Sequence, residues 1–139
     1  LVLVMIDLDD FKRVNDEHGH LSGDAVLRQV ADLLVRRLRK TDLIGRYSGD
    51  EFILLLTDTH SSKARQILDA IRRRAAKLKT ETQSGSVRIT LSIGGAVFNP
   101  ETSDVFFVAA NLTEELFEAA DTALYQAKRG GRNQVVLKQ

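Results

Sequence analysis

A chain of 139 residues forms one compact domain rather than two, and it buries enough core to stand without a disulfide or structural metal. It has no cysteine, which rules out a disulfide framework, a thiolate metal site and a cysteine nucleophile. Its 20 basic and 19 acidic side chains leave a net charge of +1, too balanced for a general nucleic-acid binder. No apolar run is long enough to cross a bilayer, so no membrane contact is expected of this domain and a cytoplasmic location is.

Residues 2–6 are a continuous branched apolar run, as expected of a central strand covered on both faces. A chain that opens in mid-strand is expected to belong to a longer protein. Residues 7–19 are polar and turn-like, with a short helix over about residues 11–15. Ser22 is the expected cap of a long helix whose apolar stripe is Val26, Val30, Leu33, Leu34 and Leu38. Residues 43–47 and 52–56 read as a hairpin turning at Ser48-Gly49. Ser61 or Ser62 opens a second long helix through Ile67, Leu68, Ile71 and Leu78. Residues 87–98 read as one strand, with Gly94-Gly95 marking a bend or a close backbone approach. A connection over residues 99–112 holds the only proline, a third helix spans about residues 113–128, and Gly130-Gly131 stops it before a last strand at 134–137.

Strand–helix–strand–strand–helix–strand is the split βαβ order of ferredoxin-like domains. A right-handed crossover makes the first two strands parallel, with the third antiparallel between them. Asp7 and Asp9 then meet Asp50 and Glu51 at one end of the sheet. Any one of these acids has an ordinary reading as a solvated strand-end or turn residue. Four at one point repel unless a cation intervenes, and oxygen ligands alone suit Mg²⁺ or Mn²⁺ held partly by substrate phosphates. Lys128 and Arg132 flank the Gly130-Gly131 stop. The first suits a helix C-terminus in any protein, while the second, past the glycines, suits a phosphate.

Three ordered segments carry a family resemblance. Asp7-Leu8-Asp9-Asp10-Phe11-Lys12, with Asn15-Asp16, Gly19-His20 and Gly23-Asp24, resembles the opening signature of GGDEF domains. Arg46-Tyr47-Ser48-Gly49-Asp50-Glu51-Phe52 resembles the motif that names them. Ala120-Asp121, Tyr125-Gln126-Ala127-Lys128 and Gly131-Arg132-Asn133 resemble the closing segment. The resemblance implies an α+β fold over residues 1–139: a mixed, mostly antiparallel five-stranded sheet wrapped by helices, of the nucleotidyl-cyclase palm type. It implies a diguanylate cyclase that condenses two GTP into cyclic di-GMP as a homodimer, each protomer holding one GTP. Asp7, the Leu8 carbonyl and Asp50 would bind the metal. Backbone N–H groups at Asp10 and Phe11, with Lys12, Lys128 and Arg132, would cradle the phosphates, and Asn15 and Asp24 would read guanine. The catalytic group would be Asp50, Glu51 and Lys128, with Glu51 either ligating metal or orienting the attacking hydroxyl. Asp24 also has a plain reading as a first-turn acid offsetting the helix dipole.

Arg39-Lys40-Thr41-Asp42 matches the R-x-x-D product-binding motif of many such cyclases, which makes Arg39 and Asp42 an expected feedback site for cyclic di-GMP. A supporting arginine common in the family falls at Ala70, with Arg72, Arg73 and Arg74 as candidate substitutes. Ser48 stands where the family has glycine; its Cβ is expected to strain the turn or crowd the nucleotide and so to lower activity. The family's N-terminal helix is missing from this stretch, and a sensory or receiver domain is expected in the full-length protein, so that the cytoplasmic part of a membrane-bound sensor fits as well. Two functional readings stay open: a working cyclase, and a degenerate domain that binds cyclic di-GMP or GTP without turnover.

Overall fold

Strand β1 (Val2–Leu8) is buried along its whole length. Its branched residues make a flat apolar ribbon with two faces to cover, and the alternation of side chains decides what covers each. In the computed structural model, which describes residues 1–99 and 112–139, β1 is the middle of a five-stranded sheet of order β2-β3-β1-β6-β7. Here β2 is Leu43–Ser48, β3 Glu51–Leu56, β6 Leu91–Val97 and β7 Val135–Lys138. Pairings β1–β3, β1–β6 and β2–β3 are antiparallel, and β6–β7 is parallel. The expected parallel relation of β1 and β2, with β3 between them, is what the structure has.

Val2, Val4, Ile6 and Leu8 point to the face covered by α1 (Phe11–His18), α2 (His20–Arg37) and α3 (Ser61–Lys77), where Val14, Val26, Val30, Leu34, Leu68 and Ile71 complete the main core. Leu3 and Met5 point the other way, to Ala120 and Leu124 of α4 (Leu112–Arg129). Asp7 follows them in the alternation and therefore lies on the α4 side. That parity brings a residue from the end of the chain to one from its beginning.

Four expectations need correction. The hairpin turns at Gly49-Asp50, because β2 runs on through Ser48 and the register shifts between Arg46 and Ser48. Ser22 is not a cap: Gly19 at φ 84 joins α1 to α2, and Ser22 is buried inside the second helix. Leu38 and Leu78, expected inside α2 and α3, each follow the helix end in extended backbone and pack on the core from beyond it. Residues 87–98 are not one strand. Β-ladder pairing of β6 starts at Leu91, while β5 (Gly85–Val87) pairs with β4 (Thr80–Thr82) in a separate hairpin. Between them Thr90 leaves the ladder and gives its carbonyl to the Asp9 N–H at 2.9 Å. The expected proline-bearing connection lies outside the described residues apart from its two ends.

Gly94 is the close approach anticipated in β6. A Cβ there would lie 2.0 Å from the Leu124 backbone nitrogen and 2.5 Å from the Ala120 carbonyl oxygen. Helix backbone cannot swing aside as a side chain can. Gly94→Ala is expected to cost about 3 kcal/mol or more by forcing α4 off the sheet, read as a lower urea midpoint. A midpoint equal to that of the native chain would mean that α4 sits further out.

Candidate active site

Asp7 is 6% exposed, and its register partners are Glu51 on β3 and Ser92 on β6. Directly opposed residues share a face, so two carboxylates confront each other across the first ladder. The Leu8 N–H donates to the Asp50 carbonyl at 3.2 Å, which ties the hairpin turn to the end of β1. Lys128, in the last turn of α4, donates from Nζ to Asp7 Oδ2 at 2.6 Å. Burial pushes the Asp7 carboxyl from 3.8 up to about 6; the Lys128 ammonium pulls the other way, and Asp50 and Glu51 add to the rise.

Asp9 does not join this group. It is 6% exposed and accepts from Thr90 Oγ1 at 2.6 Å, Ser92 Oγ at 2.6 Å and the Asn133 N–H at 3.0 Å. Its carboxylate ties the ends of three segments together. The expected meeting of four acids is thus a meeting of three. Among the described residues, no three acidic or histidine side chains close on a point tightly enough to enclose an ion unaided. The donors at hand are nevertheless of the right kind for Mg²⁺, which takes one or two protein carboxylates and completes its shell with water and phosphate. The fit rests on Asp7, a buried carboxylate whose present counter-charge is a movable ammonium.

Beside this pair opens a cleft of about 360 Å³ lined by Phe11, Lys12, Asn15, His20, Asp24, Leu27, Arg46, Gly49 and Asp50. Lys12, Asn15, Asp24 and Asp50, chosen from the sequence, therefore line one cleft, and Asp50 links it to Asp7. Since α2 begins at His20, Asp24 lies beyond its first turn, and the helix-dipole account of that residue no longer applies. Gly23 keeps the cleft open to Asn15, because a Cβ there would meet Asn15 Oδ1 at 1.9 Å. Asp10 enters α1 in the left-handed region (φ 54), turning the chain sharply so that the helix start faces the sheet end. Arg132 lies 3.6 Å from Asp10 and so stands at the same end.

Sequence reasoning assigned no role to Arg46 or His20. Arg46 donates to the Gly49 carbonyl through Nε at 3.1 Å and Nη2 at 2.6 Å, bracing the turn that carries Asp50. Its place three residues before that glycine was the available signal. Ser48 is not strained: the described non-glycine residues at positive φ are Asp10, Asp58, Arg132 and Asn133. Its hydroxyl donates to Glu51 Oε2 at 2.6 Å. Away from the cleft, Asp42 accepts from the Arg39 N–H at 2.9 Å and the Thr57 N–H at 3.1 Å, a turn that leaves the Arg39 side chain exposed.

Residues 1–134 match the family model described as the GGDEF domain of diguanylate cyclases. The chain is 39% identical over 138 residues to diguanylate cyclase DosC of Escherichia coli K12, spanning 99% of this chain and 28% of that protein. It is also 39% identical over 135 residues to diguanylate cyclase DgcP of Pseudomonas aeruginosa PAO1, covering 97% of this chain and 19% of the relative. It thus spans about a quarter of the length of these relatives. Among solved structures, the GGDEF domain of Caulobacter crescentus DgcB in complex with c-di-GMP superposes with a TM-score of 0.85 at 33% identity, covering 98% of this chain and 76% of that one. The active GGEEF domain of a Vibrio cholerae diguanylate cyclase gives 0.83 at 32%, covering 99% and 82%. With the family model matching residues 1–134 and relatives of known cyclase name at 39% identity, the chain belongs to the diguanylate cyclase GGDEF domain family.

Proposed function

We propose that this domain is a diguanylate cyclase half-site that binds one GTP and, paired with a second copy, forms cyclic di-GMP. The observation that carries the reading is the buried Asp7 carboxylate set opposite Glu51 and next to Asp50, which lines a cleft together with Asn15 and Asp24. Asp24 accepts from the N1–H and exocyclic amine of guanine, a donor pair that adenine lacks, and the Asn15 amide supplies a donor and an acceptor beside it. Backbone N–H groups at Asp10 and Phe11, with Lys12, Lys128 and Arg132, hold the triphosphate. Asp7, the Leu8 carbonyl and Asp50 would hold Mg²⁺ or Mn²⁺, which when bound polarises the α-phosphate and acidifies the attacking hydroxyl.

The 3′-hydroxyl of one GTP attacks the α-phosphorus of the other, and the α–β bridging P–O bond breaks to release pyrophosphate. Lys128 leaves Asp7 and follows the charge that gathers on the departing phosphates. Glu51, with one oxygen already engaged by Ser48, would help to hold the ion or would orient the hydroxyl. Two identical steps close a two-fold symmetric product, hence the need for a symmetric pair of protomers. Arg39 and Asp42 form the product-binding turn, with Arg39 gripping cyclic di-GMP and thereby inhibiting the enzyme. Neighbouring domains would supply the signal that brings two copies together.

Fusing the chain to a dimeric coiled coil and supplying GTP with Mg²⁺ is expected to yield cyclic di-GMP by mass spectrometry. Asp50→Ala in the same fusion is expected to yield none. Absence of product from the native fusion at any protein concentration, with cyclic di-GMP still bound in calorimetry, would replace the cyclase by a binding module.

A further inference from the structure

Arg132 is followed by Asn133, and both stand in the left-handed region, at φ 63 and φ 45. The left-handed region costs arginine roughly 1–2 kcal/mol, though asparagine less, so Arg132 stays there because its surroundings hold it. The surroundings are specific. The Arg132 N–H donates to the Ala127 carbonyl at 3.1 Å, and the Asn133 N–H to buried Asp9 at 3.0 Å. The third restraint comes from α3. Arg72 Nη1 donates to Asn133 Oδ1 at 3.1 Å and to the Asn133 carbonyl at 3.3 Å. The Arg72 side chain is 21% exposed and is itself oriented by Asp69, which accepts from its Nε at 3.3 Å. Arg65, two turns earlier on α3, donates to the Val135 carbonyl at 2.7 Å.

This use of Arg72 removes it from the candidates for a product-binding arginine. We infer that Arg72 is a positioning residue for Arg132: its guanidinium, held through Nε by Asp69, fixes Asn133 through Nη1 and so aims the Arg132 guanidinium at the phosphate cradle beside Asp10. The inference rests on the proposed GTP site, because Arg132 gains its purpose from a triphosphate. Arg72 itself touches no nucleotide. One planar group that bonds Asp69 through Nε and Asn133 through Nη1 is a property of guanidinium, and lysine offers only a single flexible point. The predicted loss is therefore specific to phosphate, while guanine recognition by Asn15 and Asp24, which Arg72 does not contact, stays as it was.

Arg72→Ala and Arg72→Lys can be compared with the native chain in two measurements. Amide hydrogen exchange without nucleotide is expected to quicken about tenfold or more at Asn133 in Arg72→Ala, through local opening, with β1 and β3 unchanged. Calorimetry with guanosine and with a GTP analogue carrying a methylene in place of the α–β bridging oxygen is expected to show the analogue's advantage over guanosine reduced about tenfold in Arg72→Ala, the worth of one well-placed charged contact. Arg72→Lys is expected to fall between the two chains in both. Unchanged exchange at Asn133 overturns the inference whatever the nucleotides do. Quickened exchange with an undiminished analogue advantage overturns its phosphate half. A native chain that binds neither ligand overturns the proposed GTP site and that half with it, while the exchange result still decides whether Arg72 holds the loop.

Discussion

Replacing Asp7 by asparagine is expected to stabilise the metal-free protein at neutral pH while removing the cyclase activity proposed for it. The Asp7 carboxyl titrates at about 6 instead of 3.8, chiefly because burial penalises the charged form. A folded-state pKa above the unfolded one means that the folded chain holds a proton which the unfolded chain has already released. Stability therefore falls as pH rises between these two values and stays lowered above the higher one. The penalty at neutral pH is on the order of 3 kcal/mol. Asparagine carries no such charge, so thermal melting of Asp7→Asn is expected several degrees above that of the native chain at pH 7.5, and level with it near pH 3.5. Activity is expected to fall roughly 100-fold or more, since preorganised charge at the reacting centre is lost. Mn²⁺ affinity of the native chain is expected to drop about tenfold per pH unit below the Asp7 pKa, because ion and proton compete for one carboxylate. Equal melting of the two chains across this pH range would show that burial does not tax the Asp7 charge.

Lys128→Met is expected to do the opposite to stability. It strips the ammonium from Asp7 Oδ2, now 2.6 Å away, and leaves a carboxylate that is 9% exposed without its counter-charge. Orphaning one partner of a buried pair costs several kcal/mol; because the Lys128 side chain is 36% exposed, about 2 kcal/mol is the expected loss at pH 7.5. That loss is expected to shrink near pH 5, where Asp7 takes up a proton. Millimolar Mn²⁺ is expected to raise the melting temperature of Lys128→Met more than that of the native chain, because the ion then takes the position the ammonium held. Turnover of a dimerised Lys128→Met chain is expected to fall 100- to 1,000-fold, roughly the cost of removing one donor to the developing charge. Equal stabilisation of both chains by Mn²⁺ would mean that Lys128 and the ion do not share Asp7.

Both outcomes depend on the side of the sheet that Asp7 faces, and that much was legible in the chain itself. The period-two alternation of residues 2–7 assigns Asp7 to the face of Leu3 and Met5. The split βαβ order places the hairpin beside it. The resemblance then picked out Lys12, Asn15, Asp24 and Asp50, which do line one cleft. Less was legible where local pattern and tertiary demand conflict. Residues 80–87 alternate weakly and are mostly polar, so a hairpin of two three-residue strands left no periodic trace. Asp9 read as a fourth site acid because spacing cannot tell a carboxylate that faces solvent from one already satisfied by Thr90, Ser92 and Asn133. Ser48 read as strained because a family pattern suggests a backbone angle without showing it.

What the amino-acid order determined by itself was the main strands and helices, the pairing of the first three strands and the residue types at the site, since periodicity, turn residues and donor types are local properties of the chain. Tertiary structure alone decided which charges meet. The 121-residue span from Asp7 to Lys128 and the 61-residue span from Arg72 to Asn133 are closed only when α4 and α3 pack on opposite faces of one sheet. The energy of each contact depends on the burial that this packing creates, and burial is a property of the whole fold that no segment carries alone.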